Sequence, residues 1–400
     1  MSQKALQGIK VLDFTSVLSG PYCSMMLGNM GAEIIKVEKT TGDDSRTFGP
    51  HINGESSYFT SINRGKKSVV CDTKTDEGKE IFKQLVAKVD VLVENLKPGA
   101  MERMGLGYDV LKEINPRLIY VAVSGFGHSG PYSSRPSYDM IVQAMGGVIS
   151  ITGWPGAEPV RVGTSIGDIV AGMFGAYGAV SALYQREVCG KGQKVDVAML
   201  DSQVAILENA ITKYSTIGVV PGPMGLRHPS ITPFEGFKTK DSYIIVACGN
   251  DRLFKSFCEA INAEELLDDE RFLTNPLRNQ NVEALSPLIE EKTKLRSTAE
   301  WMELLVTKNV PCGPINTIDK VFEDPQIAAR NMLVEVEQTN MGKIKVAGNP
   351  VKMSLVEPKD ELPHEPAPGI GDHTTEVLIN LLGYTEQEVE KYVGKMSNGF

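Results

Sequence analysis

Short β-rich runs alternate with helical periodicity through the first half of this chain, and that order limits its fold more than any single residue does. Residues 9–14 (Ile-Lys-Val-Leu-Asp-Phe) are β-rich, and Gly20-Pro21 then opens a helical stretch over 22–30 that Gly31 ends. The strand signal returns at 33–38, 68–71, 91–94 and 118–123. Residues 76–89 place Ile81, Phe82, Leu85, Val86 and Val89 on one helical face. Parallel neighbours need a crossover of about a dozen residues, usually a helix. Strands separated by helices therefore predict βαβ units and a mainly parallel sheet, an α/β fold.

The rest of the chain is read in the same way. After Asp168, small residues recur every three to four positions (Gly172, Gly175, Ala176, Ala179, and Ala182 or Leu183), which predicts a long helix whose smooth face lets another backbone come close. A strand is expected at 194–199 and a helix over 201–217. Pro221, Pro223, Pro229 and Pro233 cluster with glycines over 219–233 and mark a domain boundary. Beyond it come a strand at 242–248 and a mostly helical stretch to Asn309. Ser297-Thr298-Ala299-Glu300 is a capping box opening a helix over 301–308. Strands follow at 333–337 and 343–347, then a Pro-rich linker over 358–368 and a terminal helical pair. Gly383 closes the first of that pair, and Thr385 to Glu388 cap the second.

Composition narrows the function. At 400 residues, with 42% hydrophobic and 23% charged, the chain can bury a large core without a staple. A net charge of -9 excludes a general nucleic-acid binder, which needs a basic footprint. No run of 18 apolar residues appears, so no membrane span or membrane partner is expected. The first eight residues are too polar for a secretory signal, so the expected compartment is the cytoplasm. The six cysteines form no CxxC pair and the five histidines complete no zinc pattern, so no metal site is expected.

Several residues could carry chemistry. Neither GxGxxG nor GxxxxGK[ST] follows a strand, which weakens dinucleotide and P-loop readings. A basic run, Arg64, Lys66, Lys67 and Lys74, with Lys97 and Arg103 around Pro98-Gly99, is either a salt-bridged surface or a binding patch for a phosphorylated ligand. Asp168, just ahead of the small-residue helix, is either an N-cap or an ionised carboxylate held ready as a covalent nucleophile. Cys23 and Cys71 read as packed core rather than nucleophiles. His128 reads as a loop histidine, His373 as part of a helix start, and Arg227-His228-Pro229 as a ligand contact at the domain boundary.

Six runs together carry a resemblance: Gly8-Ile9-Lys10-Val11-Leu12-Asp13-Phe14; Gly20-Pro21; Gly31-Ala32-Glu33-Ile34-Ile35-Lys36-Val37-Glu38; Glu94-Asn95-Leu96-Lys97-Pro98-Gly99; Ser124-Gly125-Phe126-Gly127; and Gly167-Asp168. The chain resembles the class III CoA-transferases, also called the formyl-CoA transferase or carnitine CoA-transferase family. The resemblance implies a doubly wound, Rossmann-like large domain formed by the N-terminal half plus the C-terminal tail, residues 1–220 and 331–400. It implies a smaller α+β domain over 221–330 and an interlocked homodimer. It places the nucleophilic aspartate on Asp168, which would attack an acyl-CoA to give an aspartyl anhydride and then an aspartyl-CoA thioester. Coenzyme A enters as the acyl-CoA substrate; no cofactor is permanently bound. The CoA contacts implied are Leu18, Lys39, Cys71, Lys74, Asn95, Leu96 and Arg103.

Departures from the formyl-CoA transferases guide the substrate expectation. Those enzymes carry a glutamine at Leu18, a lysine at Pro136 and a run of four glycines that is absent here. The runs over 42–50, 160–165 and 248–251 look most like the acetyl-CoA:oxalate branch. Oxalate is therefore the first expected acceptor, beside Tyr138, Arg46, Arg227 and His228, and a 2-hydroxy acid the second. Two other readings stand: an α-methylacyl-CoA racemase, which would carry a histidine at Tyr138, and an inactive CoA-binding protein.

Overall fold

The structure, a computed structural model, describes residues 4–397. Six strands form one sheet in the order Lys67–Val70, Glu33–Glu38, Lys10–Phe14, Val91–Glu94, Ile119–Ser124, Gln193–Ala198. Every pairing in it is parallel. The chain winds outward from Lys10–Phe14 in one direction, then returns and winds in the other. The direction reverses between Lys10–Phe14 and Val91–Glu94, and an open α/β sheet has its ligand crevice there, beyond the carboxyl ends of the strands.

Both faces of the sheet are covered. Leu12, Ile35, Leu92 and Tyr120 point to one face, where Phe82 and Leu85 of the Asp76–Val86 helix join them. Their neighbours Val11, Ile34, Val91 and Val121 point to the other, packed with Cys23, Ala176 and Ala179. Parallel strands buried on both sides read as unbroken apolar runs, which is why 91–93 and 119–123 stand out in the sequence. The C-terminal tail returns to the first face through Val377, Leu378, Val389 and Tyr392.

The chain divides into two compact units: residues up to 149, 161–220 and 325 onward in one, and 150–160 with 221–324 in the other. Relative to the expected 221–330, the second unit gains 150–160 and lacks 325–330. Residues 150–160 join it because Gly225 N–H donates to Gly153 O at 2.8 Å, and a Cβ on Gly225 would meet the Trp154 ring at 2.5 Å. This unit has a three-stranded antiparallel sheet, Phe234–Lys238, Tyr243–Ala247 and Cys312–Pro314. Helices cover it around Phe237, Phe257, Leu285 and Trp301. The Ser297–Glu300 capping box forms as expected.

One local expectation is corrected, and two further helices bear on the site. The single helix over 201–217 is two, Met199–Ala205 and Asn209–Ile217, broken where Glu208 takes φ +50°. The Asp139–Met145 helix, which no periodicity announced, sits beside the cleft described below. The Ile166–Cys189 helix is, by length and composition, apolar enough to cross a membrane, although Asp168, Arg186 and Glu187 keep it from being an unbroken apolar run. One face of it is buried, with Gly172, Gly175, Ala176 and Ala179 turned inward against the sheet layer.

Candidate active site

The crevice at the switch point is a cleft of about 280 Å³. Loops after four strands build it: residues 16–19 after Lys10–Phe14, 95–98 after Val91–Glu94, Gly125 after Ile119–Ser124, and Met199 after Gln193–Ala198. Asp168 and Tyr138 close it from two helix starts. Among the sequence candidates, Leu18, Asn95, Leu96, Lys97, Tyr138 and Asp168 thus share one cavity.

Asp168 is not the N-cap of its helix. Ser165 holds that position, and Asp168 is the third helical residue. Its carboxyl is pushed up to about 7, first by burial and then by the neighbouring Asp139 carboxylate; a hydrogen bond from Ser19 opposes both. This corrects the expectation that the helix start alone keeps Asp168 ionised. A helix terminus is worth ~0.3–1 kcal/mol to an anion. A rise of about three pH units corresponds to ~4 kcal/mol in the other direction, so burial and like charge win.

Asp139 also fixes where that carboxyl sits. Its Oδ1 accepts the Gly167 N–H at 2.8 Å, and its Oδ2 accepts the Gln143 amide at 2.7 Å. The Gln143 Oε1 in turn accepts Val162 N–H at 3.0 Å. A Cβ on Gly167 would lie 2.7 Å from Val142 Cγ2 and 2.9 Å from Asp139 Oδ1. Only glycine admits this approach, which explains the Gly167-Asp168 pair. One turn later, a Cβ on Gly172 would lie 2.7 Å from Ser19 O. The smooth face of the helix is thus what brings Ser19 to Asp168.

The basic run is divided by the fold. Arg64 and Lys66 are buried, and desolvation holds their pKa values down at about 10 and about 8. Lys66 Nζ is 2.9 Å from Asp13, and Lys36 Nζ is 2.8 Å from Asp43, so these ions form an internal framework beneath the cleft rather than a phosphate patch. Lys67 bridges Glu33 and Glu376. Lys74, Lys97 and Arg103 remain exposed to solvent. Lys39 is exposed but paired with Asp44 at 2.6 Å.

Other candidates are placed differently from expectation. Cys71 is 2% exposed, its Sγ donates to Gly78 O at 3.1 Å, and burial pushes its thiol up to about 12. It presents no side chain to a ligand. Arg46 lies outside the cleft lining: its guanidinium grips Glu38 at 2.9 and 2.7 Å and lies 3.7 Å over the Phe59 ring. Arg227 and His228 belong to the second unit. There Arg227 lines a cleft with Glu235 and Glu290, and the His228 ring stacks on Phe234. His128 is half-buried beside Glu94, 3.7 Å away, rather than free on a loop; burial raises Glu94 to about 7.

Ser19, Asp139 and Arg135 were not singled out in the sequence, and all three touch this site. Asp139 follows Tyr138 in a segment without periodicity, so only the fold reveals it. Among the described residues, no group of three or more His, Cys, Asp or Glu side chains is arranged to hold a metal ion.

The model of the family described as CoA-transferase family III matches residues 6–374. An acetyl-CoA:oxalate CoA-transferase from Acetobacter aceti is 43% identical over 361 residues, 90% of this chain and 92% of that protein. The human succinyl-CoA:glutarate CoA-transferase is 40% identical over 389 residues, covering 96% of this chain and 88% of that protein. The crystal structure of a CAIB/BAIF family protein from Brucella suis superposes with a TM-score of 0.83 at 38% identity, covering 95% of this chain and all of that one.

Proposed function

The chain belongs to CoA-transferase family III, and from that premise we propose that it moves coenzyme A from an acyl-CoA to a small dicarboxylate through covalent intermediates on Asp168. The observation that carries this reading is the placement of Asp168: a carboxyl in the switch-point cleft, with its basicity raised by burial and Asp139. A more basic carboxylate is a stronger nucleophile once ionised.

In the first step an Asp168 oxygen attacks the thioester carbonyl. The C–S bond breaks, giving a mixed anhydride and CoA thiolate. The thiolate then attacks the Asp168 carbonyl, forming an aspartyl-CoA thioester and releasing the donor acid as its carboxylate. The acceptor carboxylate attacks that thioester, giving a second anhydride and thiolate again. Thiolate attack on the acceptor carbonyl yields the new acyl-CoA and restores Asp168. No external proton donor or oxidant is needed in this cycle.

The exposed cations Lys74 and Arg103 suit the phosphates of coenzyme A, since charge-assisted bonds to phosphate are strong. Lys97 and Arg135 line the Asp168 cleft and can face a second carboxylate. That pair, together with relatives whose names state oxalate and glutarate, supports a dicarboxylate, with oxalate our first choice. The racemase reading gains nothing from Tyr138, which is 74% exposed where a histidine would be required. We also infer a homodimer, because Tyr177, Tyr184 and Val188 leave an apolar stripe open on the Ile166–Cys189 helix, at 73%, 76% and 76% exposure.

The test is to incubate the protein with acetyl-CoA or succinyl-CoA and equal concentrations of oxalate, glutarate and 2-hydroxyisocaproate, then read new acyl-CoA by mass. Hydroxylamine added before acceptor should leave a hydroxamate on the Asp168 peptide. Preferential hydroxyacyl-CoA formation would overturn the dicarboxylate. A hydroxamate elsewhere, or none during turnover, would overturn Asp168 as nucleophile.

A further inference from the structure

The turn over residues 16–19, which forms one wall of the cleft, is held in a strained conformation. Val17 has φ +68°, a region that β-branched side chains almost never enter without compensation. Three segments distant in sequence hold it there. Asn95 brackets Ser16 as a neighbouring strand would: its Oδ1 accepts Ser16 N–H at 2.9 Å and its Nδ2 donates to Ser16 O at 2.8 Å. Asp43 Oδ1 accepts Val17 N–H and the Ser16 hydroxyl, both at 3.1 Å, while its other oxygen pairs with buried Lys36. Lys36 also donates to Thr15 O at 2.9 Å.

The strain has a local consequence. Asn95 Nδ2 also reaches Ser19 Oγ at 3.3 Å. An amide nitrogen can only donate, so Ser19 Oγ is the acceptor in that contact. Its own hydrogen is left for another partner, and the Asp168 carboxyl lines the same cleft. Asn95 thus leaves the Ser19 hydroxyl hydrogen available to the cleft that Asp168 lines.

We propose that Asn95 is a positioning residue: by clamping the strained Val17 turn and donating to Ser19, it aims the Ser19 hydroxyl at Asp168. This assigns the Asn95 side chain a role in orienting the nucleophile rather than in contacting coenzyme A. It rests on the reading of Asp168 as the nucleophile.

Asp168 lies among several ionisable groups: Asp139 against its helix, Asp44, Lys97, Arg135 and Tyr138 around the cleft, and Tyr58, which feels its charge. None of these is altered by changing Asn95. Removing the Ser19 hydroxyl withdraws an interaction that holds the Asp168 carboxyl down, so its titration moves up. A residue that only supports the fold would not move that titration.

The experiment is a double-mutant cycle on the full-length protein, using whichever of oxalate or glutarate is turned over from acetyl-CoA or succinyl-CoA. Asn95→Ala and Ser19→Ala should each lower kcat about tenfold to a hundredfold and shift the acid limb of kcat/KM upward. The double variant should match Ser19→Ala alone, because the two act in series. Val17→Gly removes the cost of the positive φ, so Val17→Gly/Asn95→Ala should recover part of the lost kcat; this variant also serves if Asn95→Ala folds poorly. Additive losses would overturn the proposal. So would an Asn95→Ala protein in which only KM for acyl-CoA rises and the acid limb stays in place. An active Asp168→Asn protein would overturn the nucleophile reading instead, which separates the two failures.

Discussion

Replacing Asp168 with asparagine should abolish turnover and, at alkaline pH, make the protein more stable. The two shapes are nearly identical, and Ser19 can still donate to the amide oxygen. The asparagine variant lacks the charge that burial and Asp139 both oppose. The Asp168 carboxyl is raised from 3.8 to about 7. The folded state therefore keeps a proton that the unfolded chain has lost, and stability falls as pH rises from about 4 to about 7. Three units at ~1.4 kcal/mol each give ~4 kcal/mol as an upper bound. The carboxyl lines a cleft open to solvent, so screening should reduce this to roughly 2 kcal/mol. For a unit of this size that amounts to roughly 2–4 °C in Tm at pH 8. Near pH 4, where the wild-type carboxyl is protonated in the folded state, the gain should nearly vanish. Thermal unfolding of both proteins at pH 4 and pH 8, with acyl transfer measured alongside, checks this. An equal gain at both pH values would refute the account of Asp168 as an ion held in an unfavourable site. Wild-type turnover would refute its role in catalysis.

Other outcomes are expected. For the wild type, kcat/KM should rise with pH up to about 7 and then level, since the nucleophile must be ionised; a flat profile from pH 5 to 8 would contradict this. Lys74→Ala or Arg103→Ala should raise KM for acyl-CoA by about ten- to a hundredfold with little change for the acceptor, matching a lost charge-assisted phosphate bond of ~1.5–3 kcal/mol. Gly167→Ala drives a methyl toward Val142 and Asp139; its kcat should fall at least about tenfold while circular dichroism stays that of the wild type. Asp13→Ala strands Lys66 in the interior, since Lys36 keeps Asp43, and should cost about 3–5 kcal/mol, read as a lower denaturation midpoint.

The parallel sheet was legible because strands covered on both faces must be apolar at every position; Val91 to Val93 and Ile119 to Val123 announce themselves. The helix after Asp168 was legible from its glycines and alanines, a pattern with little other use. The basic run misled because sequence spacing carries no depth. Arg64 and Lys66 lie as close to Lys74 in the chain as surface residues would, yet they are buried. Arg46 misled for the same reason, since its partner Glu38 is chosen by the fold.

Local chemistry, then, made the strands and the long helix readable from the order of residues alone, because those features answer to neighbours one to four positions away. The environment of the carboxyl answers to none of them. Ser19 affects it from beyond one strand, held by Asn95 at the end of another, and Asp139 from a helix with no sequence signature. A pKa is set by what lies within a few ångströms in space, whatever the distance along the chain. Only the folded sheet, by placing its switch point beneath those loops, decided that Asp168 would titrate near neutrality rather than as an ordinary acid.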